Sequence, residues 1–187
     1  LPIEKSPLFK GYETMRGEWM NRDLRMQYTL MRPGDTFWDA SEKNSRIDWS
    51  DSEAEIARAK YKNFTPNWGS GYFPQKWATE RNLGADARNA SYDWPVLRYA
   101  EVLLNYAEAV YERDGKISDT DLNISLNLTR KRVNKTMPAL SNAFVDANGL
   151  DMRTEIRRER TIELFQEGFR IDDLRRWKTA ETEMPME

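Results

Sequence analysis

The stretch DWPVLRYAEVLLNYAEAVYERDG, residues 93–115, decides the fold. Asp93-Trp94-Pro95 is a helix start signal, an acid in the N-cap region followed by a proline near the first turn. Val96, Ala100, Leu103, Leu104, Ala107, Val110 and Tyr111 then recur at helical spacing, and Gly115 follows as a C-cap. The apolar arc covers about half the circumference at roughly 100° per residue. A helix this apolar packs against neighbours on more than one side.

Working outward toward the C-terminus, the spacing predicts a second helix almost at once. Ser118 or Asp119 caps it, and Leu122, Leu126, Thr129 and Val133 form a narrower stripe ending near Asn134. So short a connection makes the pair an antiparallel hairpin. Pro138 to Gly149 reads as a loop. Asp151 caps a third helix, Met152 to Glu167, closed by Gly168, and a short fourth runs from Ile171 to Thr179. Two hairpins in tandem are the pattern of tetratricopeptide-like stacking. Two are fewer than such a stack usually needs, so a fragment of a longer chain is expected.

Working outward in the other direction, the composition changes at residue 93. Residues 1–93 carry 14 of the chain's 22 aromatics, and Pro33-Gly34, Pro66, Gly69, Gly71 and Pro74 interrupt them too often for long helices. A strand at Met26–Met31 and a helix at Ser52–Lys60, with Ser52 as N-cap, are the local elements expected there. The rest reads as long loops carrying Trp38, Trp49, Trp68, Tyr72 and Trp77. The expected organisation is thus 1–93, an irregular aromatic-rich region, and 94–187, a helical-hairpin region, together forming one structural unit. The fold class is mainly α.

Charge and composition exclude much chemistry. The 29 Lys and Arg nearly balance 31 Asp and Glu, which leaves no electrostatic footprint for nucleic acid or anionic lipid. His and Cys are absent from all 187 residues, which removes thiol nucleophiles, disulfides, Cys/His zinc sites and His-dependent triads. No cofactor or metal is expected. The Asp146, Asn148, Asp151 stretch lacks the terminal bidentate acid of a calcium loop and reads as a turn with local Asx bonds.

Two groups of residues are candidates for function. On the third helix, Met152, Ile156, Arg160, Glu163 and Glu167 share one face, so charges sit on the apolar stripe. Either a pair of catalytic carboxylates stands beside an arginine, or Arg160 and Arg170 fork onto Glu163, Glu167 or Asp173 as a structural ion network. The second is favoured, because planar guanidinium among carboxylates suits rigid docking. In the aromatic region, Trp and Tyr faces suit the C–H surfaces of sugar rings while nearby polar groups orient hydroxyls. Trp38 lies beside Asp35 and Asp39, Trp49 beside Asp48 and Asp51, Trp68 after Asn67, and Trp77 shortly before Arg81. The alternative is that these Trp residues pin loops to the scaffold.

Three motifs in the second half carry a resemblance. Arg98-Tyr99-Ala100-Glu101-Val102-Leu103-Leu104-Asn105-Tyr106-Ala107-Glu108-Ala109 resembles the "RYAEvLLnyAEA" signature of the SusD/RagB family. Glu159-Arg160 through Glu163-Leu164, then Glu167-Gly168, Arg170, Asp173-Leu174 and Arg176-Trp177 look like its "ER..EL..EG.R..DL.RW" segment, and Leu126 to Arg132 is similar to its "lN.vR.R" helix. The resemblance spans about residues 92–178, with weaker similarity at Asp23–Gly34 and Tyr72–Trp77. It implies a mostly helical, tetratricopeptide-like fold and a non-enzymatic lipoprotein, surface-exposed at the outer membrane. It also implies that the protein binds glycans or other nutrients and caps a TonB-dependent transporter. The family's lipid-bearing N-terminal Cys, its N-terminal helical half and its terminal "YPIP…QNPGY" stretch are not matched, so the C-terminal part of such a protein is expected. Two further readings remain at this level: a tetratricopeptide-like interaction module without a small ligand, and a carboxylate-based glycoside hydrolase using Asp35 or Asp39.

Overall fold

The computed structural model describes residues 6–13, 17, 20–30, 36–37, 45–46, 74, 76–77 and 95–184. The chain divides into two compact units, Leu1–Asp93 and Trp94–Glu187.

In the first unit, α1 spans Leu24–Thr29, a helix where the sequence predicts a strand at Met26–Met31. Asp23 overrides the strand preference of Tyr28 and Thr29. Its carboxylate accepts from the Arg25 backbone N–H at 2.9 Å and from the Arg25 guanidinium at 3.0 and 2.8 Å, closing the first turn from both sides. Leu30 then returns to extended backbone and bridges Pro74 antiparallel, while the Lys76 N–H donates to the Thr29 carbonyl at 3.2 Å. Two short strands, β1 (Thr36–Phe37) and β2 (Ser45–Arg46), pair antiparallel with Phe37 opposite Ser45. The helix expected at Ser52–Lys60 lies outside the described residues.

The second unit is helical throughout. α2 is Tyr99–Asp114, ending at Gly115, whose left-handed φ of 66° lets its N–H reach the Tyr111 carbonyl at 2.8 Å. The start differs from the Asp93-Trp94-Pro95 signal: Arg98 is the N-cap, and Val96 lies before the helix at 92% exposure instead of joining the apolar face. Apart from Val96 the expected face packs inward, with Val110 and Tyr111 against the core. Ala100, Leu103, Leu104 and Ala107 are buried, while Tyr99, Val102 and Tyr106 face outward.

The expected second helix is broken in two at Ser125. α3 is Asp119–Ile124 and α4 is Leu126–Val133. Ser118 caps α3 through the Asp121 N–H. Ser125 leaves helical geometry at φ −129° and ψ −105°, and its hydroxyl donates back to the Asp121 carbonyl at 2.5 Å. A serine that bonds the turn behind it competes with the helical ladder. The break still leaves Leu122 and Leu126 fully enclosed, each contributing about 2 kcal/mol by burial.

The stretch Pro138–Gly149 is not wholly a loop. It contains α5, Asn142–Ala147, capped by the Ser141 hydroxyl accepting from the Phe144 N–H. Asn142 ties this helix to the α2–α3 connection, its amide donating to the Ile117 carbonyl at 3.0 Å and to Asp119 at 2.8 Å. α6 is Met152–Glu163, capped by Asp151 through the Thr154 N–H at 2.8 Å. It stops a turn before the expected end at Glu167; Leu164 is its C-cap, and the chain turns through Gln166 and Gly168 at positive φ. α7 is Arg170–Trp177 and a further short helix, α8, is Ala180–Glu183.

α2 packs against α4 and α6, and α4 also against α6. The core between them gathers Leu104, Ala107, Ile117, Leu122, Leu126, Leu140, Val145, Met152, Ile156 and Leu164. The unit is mainly α, as the periodicity predicts.

Candidate functional site

The polar residues of α6 are built into the packing. Met152, Ile156, Arg160 and Glu163 are all buried on one helix face. Arg160 lies against Asp173 of α7, its Nε donating to Oδ2 at 2.8 Å, and its Nη1 donates to Asn105 of α2 at 2.7 Å. Glu163 accepts from Arg132 of α4 at 2.8 and 2.9 Å and from Arg98 at 3.2 Å. Glu167, past the end of α6, accepts both arms of Arg98, at 2.7 and 2.6 Å. Arg170 donates to the Thr161 hydroxyl at 3.0 Å and to Glu183 at 2.6 Å.

A second cluster lies on α2 and α7. Glu108 is buried and accepts both arms of Arg176, at 2.5 and 2.6 Å, and the indole N–H of Trp177 at 2.6 Å. Arg157 and Arg176 stand over the Trp177 ring at 5.0 and 4.9 Å from its centre. On α4, Thr129 and Arg130 hold the buried Glu159, at 3.1 and 3.2 Å.

Electrostatics follow from these contacts. Burial pushes the Glu108 carboxyl up, but the hydrogen bonds from Arg176 and Trp177 and the charge of Arg176 outweigh it, holding the group below the usual range. The Arg98 guanidinium is raised by its hydrogen bond to Glu167, against burial. The acceptor sites of Glu163 and Glu167 are spent on arginines within the unit. In this arrangement the charges join α2, α4, α6 and α7 to one another.

Several members of this lattice escape a reading of helix faces alone. Arg98, Asn105 and Glu108 come from α2 and its N-cap, Arg132 from α4 and Trp177 from α7, and only the fold brings these segments together. The signal available in sequence was the motifs themselves, since Arg98, Asn105, Glu108, Arg132, Arg176 and Trp177 all belong to the quoted signatures.

The aromatic candidates Trp38, Trp49 and Trp68, with Asp35, Asp39 and Arg81, lie outside the described residues. Trp77 is half-buried at positive φ, with the Lys76 ammonium 5.6 Å from its ring centre. Among the described residues no group of three or more carboxylates could hold a metal ion. Asn148 and Asp151 make local bonds, to the Phe144 carbonyl and to Thr154. No helix among the described residues is long and apolar enough to cross a membrane.

Comparison with known proteins places this scaffold. No curated protein matches the chain, and no solved structure does. A family model described as the SusD family matches residues 6–187, far beyond the 92–178 span that carries the quoted motifs. Proteins of that family are non-catalytic, which removes the glycoside-hydrolase reading of Asp35 and Asp39. Membership implies a glycan-binding component of the outer membrane, paired with a TonB-dependent transporter. Since the match takes in essentially every residue from the first described turn to the C-terminus, the chain belongs to the SusD family.

Proposed function

We infer that this chain contributes glycan or other nutrient recognition to an outer-membrane uptake complex, in which the surface-exposed, lipid-anchored protein closes over a TonB-dependent transporter. The family match carries this reading. The division of labour inside the chain follows from its chemistry. In the unit Trp94–Glu187 the buried charges are consumed by internal pairing, as at Arg160–Asp173 and Arg176–Glu108, which suits a rigid scaffold. Recognition then falls to the aromatic-rich residues 1–93. There Trp38, Trp49 and Trp68 serve as stacking platforms, and Asp35, Asp39 and Arg81 orient hydroxyls.

The test is paired. Calorimetric titration with soluble glycans and a thermal midpoint are measured for Trp38→Ala, Trp49→Ala and Trp68→Ala. A platform residue loses about 5- to 30-fold in affinity with little change in midpoint. Steeply lowered midpoints with unchanged affinity would make the three rings loop anchors instead. Association is tested by affinity purification from native outer membranes, where a TonB-dependent transporter is expected to co-purify.

A further inference from the structure

The first unit carries a braced and solvent-facing aromatic ring that neither the motifs nor the Trp candidates include. Gly11 sits at a φ of 84°, in the left-handed region, and turns the chain so that Tyr12 comes back beside Phe9. The two ring centres lie 4.9 Å apart in an edge-to-face pair with an interplanar angle of 68°. Two contacts from the turn at residues 20–22 hold this pair in place. The Asn21 amide donates to the Leu8 carbonyl at 2.8 Å, and the Arg22 guanidinium lies 5.7 Å from the Phe9 ring centre. Phe9 is thus partly covered, while Tyr12 keeps 66% of its surface in solvent. Lys10 and Glu13, on either side of Gly11-Tyr12, are exposed as well, and a Cβ at Gly11 would meet nothing within 4 Å.

We propose that Tyr12, fixed by Phe9 and the Asn21–Arg22 turn, is a stacking platform for a pyranose ring. This deepens, and rests on, the glycan-binding reading above. An exposed ring that serves only the core gains nothing from being turned outward, and this one packs edge-to-face on Phe9, which Arg22 covers in turn. Pre-fixing the platform removes part of the ordering cost that a free side chain would carry on binding. A solvent-facing tyrosine ring with an exposed lysine and glutamate as near sequence neighbours matches a sugar, which offers an apolar C–H face rimmed by hydroxyls.

The probes are maltohexaose, cellohexaose, xylohexaose and mannohexaose, titrated calorimetrically into the protein. With whichever sugar binds, Tyr12→Ala is expected to weaken affinity by about 5- to 30-fold. The thermal midpoint is expected to stay within about 2 °C, as for an exposed side chain. Tyr12→Phe, which keeps the ring, should stay within about twofold. Phe9→Ala should weaken binding through loss of the brace. In the unmodified protein the Tyr12 ring protons should shift on addition of the sugar, a readout that does not depend on how any variant folds. A sugar that binds with unchanged affinity to Tyr12→Ala and leaves the Tyr12 ring protons unmoved overturns the platform and leaves the glycan reading standing. Failure of the unmodified protein to bind any of the four overturns the glycan reading for these sugars, and the platform with it.

Discussion

Arg160 and Asp173 meet 2.8 Å apart with side chains only 6% and 5% exposed, so α6 and α7 are joined through charges that water hardly reaches. The same guanidinium lies 5.3 Å from the Phe169 ring centre and donates to Asn105 of α2. Three elements therefore converge on one side chain. A paired, hydrogen-bonded charge of this kind adds little over an apolar substitute of the same shape, yet removing Arg160 leaves the buried Asp173 with Arg176 alone.

Arg160→Ala is expected to cost about 3 kcal/mol, because Asp173 loses a partner in a buried site. Arg175→Ala should cost less than about 0.5 kcal/mol, since its pair with Asp172 lies in solvent. Arg158 would not serve as the control, because it holds the buried Glu155. Urea unfolding of both variants checks this. Equal midpoints at similar slopes would mean that the pair does not join the helices.

Glu108 makes stability sensitive to acid. Its folded-state carboxyl titrates below the usual range although burial opposes this, because Arg176 and Trp177 bond the ionised form. A depressed folded value means that the unfolded chain takes up the proton first. The stabilisation is complete above about pH 5, the upper edge of ordinary glutamate titration, and is lost as pH falls through the folded value. Glu108→Gln should lower stability at pH 7 and flatten the profile below about pH 5. A profile as steep as that of the unmodified protein would assign the acid sensitivity to other carboxylates.

The parts of the fold legible in sequence are those set by local chemistry. Ser118, Gly115 and Asp151 act where their side chains or backbone freedom place them, and the face through Met152, Ile156, Arg160 and Glu163 follows from helical geometry alone. What was illegible depended on competition between neighbours. Tyr28 and Thr29 favour a strand, but Asp23 and Arg25 close a helical turn ahead of them. Leu122 to Val133 reads as one stripe, but the Ser125 hydroxyl interrupts it. The partners of Arg160 and Glu163 come from residues far away in sequence, such as Asn105 and Arg98, and no periodicity pairs them. The aromatic candidates rest on composition and sequence neighbours, with no periodicity that orders them into a site.

Gly115 offers a test of backbone conformation without side-chain crowding. A Cβ built there meets nothing within 4 Å, so any cost of substitution comes from its left-handed φ of 66°. Gly115→Ala should lose about 1 kcal/mol, or roughly 2–4 °C in thermal midpoint for a chain of this size. Gly115→Asn should lose less, since Asn enters that region more readily. An alanine variant as stable as the parent would show that the α2 end relaxes to another geometry.

Asn127 is the residue by which α4 holds the segment after it. Fully buried, it donates its amide to the Leu140 carbonyl at 2.9 Å and accepts the Leu140 N–H at 2.7 Å, so one side chain satisfies both polar groups of a backbone position. Leu140 is itself in the core, with no water to replace these bonds. Asn127→Ala leaves a donor and an acceptor without partners, at about 1–3 kcal/mol each. A loss of about 3 kcal/mol is expected in total, more than a single exposed hydrogen bond could account for. Asn127→Asp separates the two bonds. Its carboxylate still accepts the Leu140 N–H but turns an oxygen toward the Leu140 carbonyl, where the amide donated. Burying that charge without a partner adds to the repulsion, so the aspartate variant should be at least as unstable as the alanine one near pH 7. Lowering the pH toward the aspartate range protonates the group and restores a donor, so the gap between the variants should close. Denaturant midpoints at pH 7 and pH 4 measure both effects. If Asn127→Asp matches the unmodified protein at pH 7, the amide bond to Leu140 is not what holds this segment.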